Sequence, residues 1–173
     1  MEGHGKKMAN IALFAETGIS AIPLTVVRWL KVYLEQGHRF IVADTMRGDE
    51  RFHKELSAIG AVDSTLLYSM DTPRSNSFGL PVRSFATSFD EENSSFTITA
   101  SDNSIEPQTF TGVHKVEDIP LHSGWHGFRD KQMVNDSDMI IMITVSDTLS
   151  KRFQSIVQLA NMCDKQIHIV QAY

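Results

Sequence analysis

Short apolar runs alternate with amphipathic stretches of helix length along the first part of this chain. Residues 11–15 (IALFA) and 40–43 (FIVA) are continuous apolar runs beside turn residues, which is typical of strands buried on both faces. Between them, from Ile22 to Leu34, apolar residues recur every four positions, as on one face of a helix. A second helix over about 49–59 and a third strand over 64–68 follow. This β-α-β-α-β order, with short connections, predicts a parallel sheet with right-handed crossovers.

The middle of the chain interrupts this pattern. Residues 71–120 hold four of the five prolines and many Ser, Thr and Asn residues, and the segment 95–100 alternates in polarity. We interpret 71–120 as a small antiparallel β insert or an elaborated loop, with a hairpin turn at Asp102-Asn103. The pattern then resumes with helices near 128–135 and 149–162 and strands over 139–145 and 166–171. The sequence therefore predicts one α/β domain over 1–173, with a doubly wound parallel sheet of about five strands.

Composition excludes several classes of protein. The chain has 16 Lys and Arg against 21 Asp and Glu, so it lacks the basic excess of a protein that binds duplex nucleic acid. Its one cysteine, Cys163, excludes an intrachain disulfide and favours a reducing, cytoplasmic location. The apolar run near the amino terminus is too short for a signal peptide or a membrane span. No multi-cysteine zinc site, Walker loop or dinucleotide fingerprint occurs, so we expect no metal and no cofactor.

Three loops are the expected place for a ligand, because open parallel sheets bind ligands beyond the carboxyl ends of their strands. The first loop carries Thr17 and Gly18 directly before a helix, where backbone N–H groups attract phosphate. The alternative is that Thr17 and Ser20 cap the helix and that Gly18 turns the chain.

The second loop carries Arg47, Gly48 and Asp49 at the start of a helix. A guanidinium beside a glycine can hold a phosphate or carboxylate through two hydrogen bonds, which is the role we predict for Arg47. We predict that Asp49 accepts hydrogen bonds from sugar hydroxyls. The alternative is a solvated arginine and two acids, Asp49 and Glu50, that cap their own helix.

The third loop follows the most apolar strand and carries Asp147, Ser150, Lys151 and Arg152. The two cations lie near a predicted helix amino terminus, which disfavours positive charge unless an anion is bound there. We therefore predict phosphate contacts for Lys151 and Arg152 and a sugar contact for Asp147. The alternative is that both cations point into solvent.

The segment 125–130 (WHGFRD) precedes a helix and can overhang the same crevice. In this interpretation Trp125 or Phe128 stacks on a base and Arg129 contacts phosphate. The alternative is that the aromatic residues only anchor the insert in the core.

These loops resemble those of the SLOG superfamily, a group of Rossmann-like proteins. The matching motifs are AETG at 15–18, MRGD at 46–49, RDKQMVNDSDMIIMI at 129–143 and DTLSKRF at 147–153. The group includes enzymes similar to nucleoside 2-deoxyribosyltransferases, LOG-type nucleotide phosphoribohydrolases, and nucleotide sensors without catalytic activity. The resemblance implies a Rossmann-like fold and a nucleotide ligand.

One departure from the family pattern bears on catalysis. The enzymatic branches commonly place a catalytic Glu on the helix after the third loop, and this chain has Ile156 there. We therefore expect a nucleotide-binding sensor or sequestering protein. The alternative is a nucleotide N-glycoside hydrolase or deoxyribosyltransferase that uses Glu16 or Asp49 as its carboxylate. A third interpretation is a protein-binding module formed by the β insert.

The first helix also predicts self-association. Apolar side chains cover well over half of its circumference between residues 22 and 36, more than one sheet face requires. We expect a homodimer or a higher homo-oligomer, with Trp29 or Tyr33 near the interface. The alternative is that the β insert covers this helix within one chain.

Overall fold

Eight strands form one continuous sheet in the computed structural model, which describes residues 7–112 and 126–172. Within these residues the strands are β1 (Asn10–Ala15), β2 (Arg39–Ala43), β3 (Thr65–Met70), β4 (Val82–Asp90), β5 (Ser95–Ala100), β6 (Gln108–Thr111), β7 (Met139–Thr144) and β8 (Gln166–Gln171). Their order across the sheet is β6-β5-β4-β3-β2-β1-β7-β8. The pairs from β4 through to β8 are all parallel, whereas β5 and β6 are antiparallel additions at one edge.

Helices cover both faces of this sheet. In the described part of the chain they are α1 (Leu24–Glu35), α2 (Glu50–Ala58), α3 (Gly127–Asp136) and α4 (Lys151–Met162). The apolar residues of α1 and α2 pack in one core cluster and those of α3 and α4 in another, on opposite sides of the sheet. The helix predicted from the four-residue repeat is confirmed as α1, and Gly37 ends it with a φ of 83°.

The strand order reverses at β1. From β1 the chain proceeds to β2 and β3 on one side, and it later returns to β7 and β8 on the other side. The loops that leave β1 and β7 therefore diverge to opposite faces of the sheet. Such a switch point opens a crevice at the carboxyl ends of the two central strands.

The predicted count of about five strands is wrong, although all five predicted strands are present as β1, β2, β3, β7 and β8. The strand that the sequence did not predict is β4, whose residues are mostly exposed or half-buried and therefore lack a continuous apolar pattern. It pairs parallel with β3 and antiparallel with β5. The sheet is therefore mixed, and the β segments in the predicted insert extend the main sheet.

Candidate functional site

The three loops selected from the sequence meet at the switch point between β1 and β7. The Gly18 N–H donates a hydrogen bond to the Arg47 carbonyl oxygen at 3.1 Å, which joins the first loop to the second. The Val145 N–H donates to Glu16 Oε1 at 3.2 Å, which joins the third loop to the first. Residues that are far apart in the chain thus meet at the carboxyl end of the sheet, where the fold is expected to bind a ligand.

Gly48 allows the first two loops to approach each other closely. A Cβ atom at this position would lie 2.6 Å from the Ala15 carbonyl oxygen and 3.1 Å from the Thr17 nitrogen. Real Cβ atoms do not come so close to backbone atoms, so the contact requires glycine. Gly48, which the sequence predicts as a member of the ligand site, therefore allows contact between the two loops.

Glu16 has a carboxylate oxygen that is not used by the protein. The residue follows β1 directly and is 9% exposed. Its Oε1 accepts the bond from Val145, whereas its Oε2 is buried and has no hydrogen-bond partner among the described residues. Buried polar atoms are normally bonded, so this oxygen is an unsatisfied acceptor between the first and third loops.

Asp49 is fully buried and both of its carboxylate oxygens are engaged. Oδ1 accepts the Ala15 N–H at 2.9 Å, and Oδ2 lies 3.0 Å from Arg152 Nη2. The Asp49 side chain makes no capping hydrogen bond to α2. Glu50, the other acid of that alternative, lies in the first turn of α2 and accepts the Arg47 N–H at 2.7 Å. A sugar hydroxyl could reach the Asp49 carboxylate only by displacing its contact with Ala15 or Arg152.

Arg152 lies between two carboxylates in the first turn of α4. Its Nε donates to Asp130 Oδ2 at 2.8 Å and its Nη2 to Asp130 Oδ1 at 3.1 Å, while Nη2 also faces Asp49. Its guanidinium carbon lies 5.4 Å from the centroid of the Phe14 ring. The carboxylates of Asp130 and Asp49 therefore neutralise the charge of Arg152, for which the sequence predicts a phosphate contact.

Arg129 occupies a similar position deeper in the protein, with its side chain 1% exposed. Its Nη1 donates to Asp44 Oδ1 at 2.6 Å, and its Nε and Nη2 donate to Asp130 Oδ1 at 3.1 and 2.9 Å. Arg74 completes the series, because its backbone N–H donates to Asp44 Oδ2 at 2.8 Å. We call this row of alternating charges the ion-pair chain; its members are Arg74, Asp44, Arg129, Asp130, Arg152 and Asp49.

The ion-pair chain stabilises charged carboxylates in spite of their burial. Burial alone would raise the pKa of Asp130, but the charges and hydrogen bonds of Arg152 and Arg129 outweigh it and lower the pKa. Burial likewise opposes ionisation of Asp44, whose pKa is nevertheless lowered by the Arg74 backbone N–H and by the Arg129 charge. Both carboxylates are therefore ionised at neutral pH.

The remaining predicted site residues lie at the surface or cap a helix. Thr17, Gly18, Arg47, Asp147 and Lys151 are exposed around the crevice. These residues are therefore accessible to a ligand, in contrast to the buried members of the ion-pair chain, which are Asp44, Asp49, Arg129 and Asp130.

Ser150 has a structural contact of its own. It is the N-cap of α4, and its Oγ accepts the Phe153 N–H at 3.2 Å. Phe128 is 4% exposed within the core, so the predicted stacking of its ring on a base is wrong. Trp125, the other stacking candidate, lies outside the described residues.

Sequence reasoning did not select three members of the ion-pair chain: Asp44, Arg74 and Asp130. Asp44 carried a detectable signal, since it is the first polar residue after a buried strand. Asp130 directly follows Arg129, but adjacency in sequence does not indicate that one carboxylate accepts from two arginines. Arg74 lies in the segment interpreted as an insert and gave no signal.

A second concave region lies at the opposite, amino-terminal edge of the sheet. This cleft of about 420 Å³ is lined in part by Arg39, Thr65, Tyr68, Arg83 and Asp136. Several of its polar groups bond to each other: the Tyr68 hydroxyl donates to Asp136 Oδ2 at 2.5 Å and accepts from Arg83 Nη1 at 2.6 Å. Burial and the Asp136 carboxylate raise the pKa of Tyr68, so this hydroxyl keeps its proton.

Metal and membrane features were sought in the same described ranges, 7–112 and 126–172. No group of three or more His, Cys, Asp or Glu side chains there could hold a metal ion. None of the helices in these ranges has the length and apolar character needed to cross a membrane. Comparisons with protein-family models, curated proteins and solved structures found no match to the chain.

Proposed function

We propose that the protein binds a nucleotide or nucleotide-derived small molecule in the crevice at the carboxyl ends of β1, β2 and β7, as a sensor or sequestering protein. The observation that carries the proposal is the convergence of three loops at a switch point. The Gly18–Arg47 and Glu16–Val145 hydrogen bonds join these loops. Open α/β sheets bind ligands at this place in the fold.

The accessible groups suit the parts of a nucleotide. Arg47 and Lys151 are exposed cations on two different loops and are our candidates for phosphate contact. Asp147 and the unpartnered Oε2 of Glu16 are acceptors for sugar hydroxyls or for an amino group of a base. Arg129 and Arg152 act indirectly, because their charges hold the carboxylates that support the crevice.

Binding without catalysis is favoured by the residue at the family's catalytic position. Ile156 lies on the buried face of α4, where it is 2% exposed and packs in the core cluster. The resemblance to the SLOG superfamily therefore supports a nucleotide ligand, whereas this helix provides no carboxylate at that position. We also propose a cytoplasmic location, in keeping with the single free cysteine, Cys163.

The experiment is a binding screen of the full chain against mononucleotides, NAD derivatives and cyclic nucleotides. We expect at least one of these ligands to raise the melting temperature and to bind in a calorimetric titration. Arg47→Ala and Glu16→Gln should each weaken that binding about tenfold, which corresponds to the loss of one charged hydrogen bond. Lys31→Ala, an exposed cation on α1, is the matched control and should bind normally. The proposal fails if no ligand binds, or if both crevice variants bind like the control.

An enzymatic function is the second candidate, and Glu16 is the observation that favours it. A carboxylate with one unpartnered oxygen at the switch point can act as a nucleophile or general acid at a nucleotide N-glycosidic bond. Asp49, the other sequence candidate, has both oxygens engaged. Release of free base from a nucleotide panel, abolished in Glu16→Gln, would establish this activity. Absence of base release in the presence of a tightly bound nucleotide would favour the sensor.

A further inference from the structure

Strand β8 is an edge of the described sheet that lacks the features which normally prevent pairing at an edge. It is the last strand on its side of the sheet, beyond β7. It spans six residues, Gln166–Gln171, and contains no Pro, Gly, Asp, Glu, Lys or Arg. Its register with β7 is continuous over the whole strand, so no bulge interrupts it. Natural edge strands are normally short, charged, bulged or covered, because a bare edge pairs with other strands.

The backbone groups of three β8 residues point away from β7. The Ala172 N–H donates to the Thr144 carbonyl oxygen at 2.8 Å, which fixes the residues that face β7. Because alternate residues of a strand direct their N–H and C=O groups to opposite neighbours, the residues on the outer side are Ile167, Ile169 and Gln171. Their outward groups have no strand partner within the described part of the chain. They form a row of donors and acceptors that is open to a further strand.

A second copy of β8 fits this row in one antiparallel register. When Ile169 lies opposite the partner's Ile169, Ile167 lies opposite Gln171, and all three outward residues form hydrogen-bonded pairs. A shift of two residues in either direction leaves one outward residue without a partner in the other copy of β8. Since β8 has no charged residue, this pairing places no like charges opposite each other. The pairing is symmetric about a two-fold axis, so it closes at two copies.

Exposed apolar side chains flank β8 on the face of the sheet that α4 covers. Ile167 packs against the core cluster of α3 and α4, and Ile169, two residues further along the strand, points to the same face. Ile169 is 47% exposed. Met162, the last residue of α4, is 76% exposed and leads through a short turn into β8. A strand added beside β8 would cover part of this apolar surface.

The opposite face of the edge is apolar as well. Trp29 of α1 lies beside β8, with its ring centroid 6.1 Å from that of His168. Val32 follows Trp29 by about one helical turn and is 49% exposed. Trp29, which the sequence predicts near an interface, thus lies next to the open strand edge.

We infer that β8 binds a second copy of this chain by antiparallel pairing, with Ile169 of both copies at the two-fold axis. The two sheets then become one continuous sheet, and the apolar side chains beside β8 are covered. A second copy is the occupant because β8 is complementary to itself in backbone register, in charge and in apolar surface. The inference is independent of the proposed nucleotide ligand, since β8 contributes no residue to the three loops of the crevice.

Cysteine cross-linking of the full chain tests the register. In a Cys163→Ser background, which removes the exposed native thiol, Ile169→Cys places the two new thiols opposite each other. Their Cα atoms would be about 5.5 Å apart, which suits a disulfide, so mild oxidation should give a covalent dimer. Gln171→Cys is the matched control, because in this register the two copies of residue 171 are about 13 Å apart along the strands and should not link. No link through Ile169→Cys, or equal linking of both variants, would overturn the inference.

Sedimentation equilibrium tests the interface without a covalent link. Ile169→Lys sets two like charges opposite each other at the two-fold axis and should raise the dissociation constant of the dimer at least about tenfold. Thr111→Lys, an exposed position of β6 at the other edge of the sheet, is the control and should dimerise like the unaltered chain. Circular dichroism should show both variants folded. The inference is wrong if the unaltered chain is monomeric at micromolar concentration, or if Ile169→Lys dimerises as well as Thr111→Lys does.

Discussion

Replacement of Arg129 by methionine tests the ion-pair chain directly. The guanidinium is 1% exposed and donates to Asp44 at 2.6 Å and to Asp130 at 2.9 and 3.1 Å. The Arg129→Met variant keeps most of the side-chain volume but leaves both buried carboxylates with fewer partners. Removal of one member of a buried ion pair costs about 3–5 kcal/mol.

The structure indicates the lower end of this range. Asp44 keeps the Arg74 backbone bond, and Asp130 keeps its two bonds from Arg152. We therefore expect a loss of about 3 kcal/mol in the free energy of unfolding. For a chain of 173 residues this corresponds to a melting temperature lowered by about 6–12 °C.

The assay is equilibrium unfolding in urea at pH 7.5, with Lys131→Met, which replaces an exposed cation on α3, as the matched control. The control should change the free energy of unfolding by less than about 0.5 kcal/mol. In a double-mutant cycle, the combination of Arg129→Met with Asp44→Asn should cost at least about 1 kcal/mol less than the sum of the single changes. A loss below about 1 kcal/mol for Arg129→Met, with no coupling to Asp44, would refute the reasoning.

Three further predictions follow from particular contacts. Because the pKa of Asp130 is lowered in the folded state, the unfolded chain takes up a proton at a higher pH than the folded chain does. In urea titrations, the stability advantage of the wild type over Asp130→Asn should therefore be constant at pH 6–8 and shrink below about pH 4. An advantage that grows below about pH 4 would contradict this. Gly48→Ala should destabilise the protein by about 1–3 kcal/mol in the same assay, because the added Cβ would lie 2.6 Å from the Ala15 carbonyl oxygen. A neutral effect would contradict this, since it would show that the first and second loops can separate freely. We propose a homodimer through α1, on which Leu24 is 64% and Val32 49% exposed. Light scattering should give twice the 19.4 kDa of the chain, and a particle of 19.4 kDa at micromolar concentration would contradict the dimer.

The central fold was predictable because its signals are local. The buried strands β1, β2 and β7 are continuous apolar runs, and the four-residue repeat of α1 ends at a glycine with positive φ. Strand β4 was not predictable in this way. Strand β4 pairs with β3 through backbone hydrogen bonds, which leave no pattern in the sequence. Its side chains are largely exposed, so they also lack a continuous apolar run.

For the candidate site, too, one property could be predicted from the sequence and another could not. Its position could be predicted, since the ends of the parallel strands fix where the loops meet. The state of its charges could not, because Asp44 and Arg129 are 85 residues apart in the chain and meet only through the fold. Sequence alone presents Arg152 as a free cation near a helix amino terminus. The fold supplies two carboxylates in place of the expected anion.

Charge alone does not mark the groups of this protein that can recognise a ligand. The ion-pair chain holds three arginines and three aspartates, so it adds no net charge that could attract a phosphate. Its directional bonds instead fix the loops that surround the crevice. Among the described residues, five buried side-chain atoms lack a hydrogen-bond partner: Glu16 Oε2, Asp49 Oδ2, Arg51 Nε, His53 Nδ1 and Ser69 Oγ. Asp49 Oδ2 has an ion pair with Arg152 instead. Because each such atom carries a desolvation cost, a ligand that bonds to it recovers free energy that the folded chain does not. Specificity at the crevice should therefore follow hydrogen-bond polarity more closely than net charge.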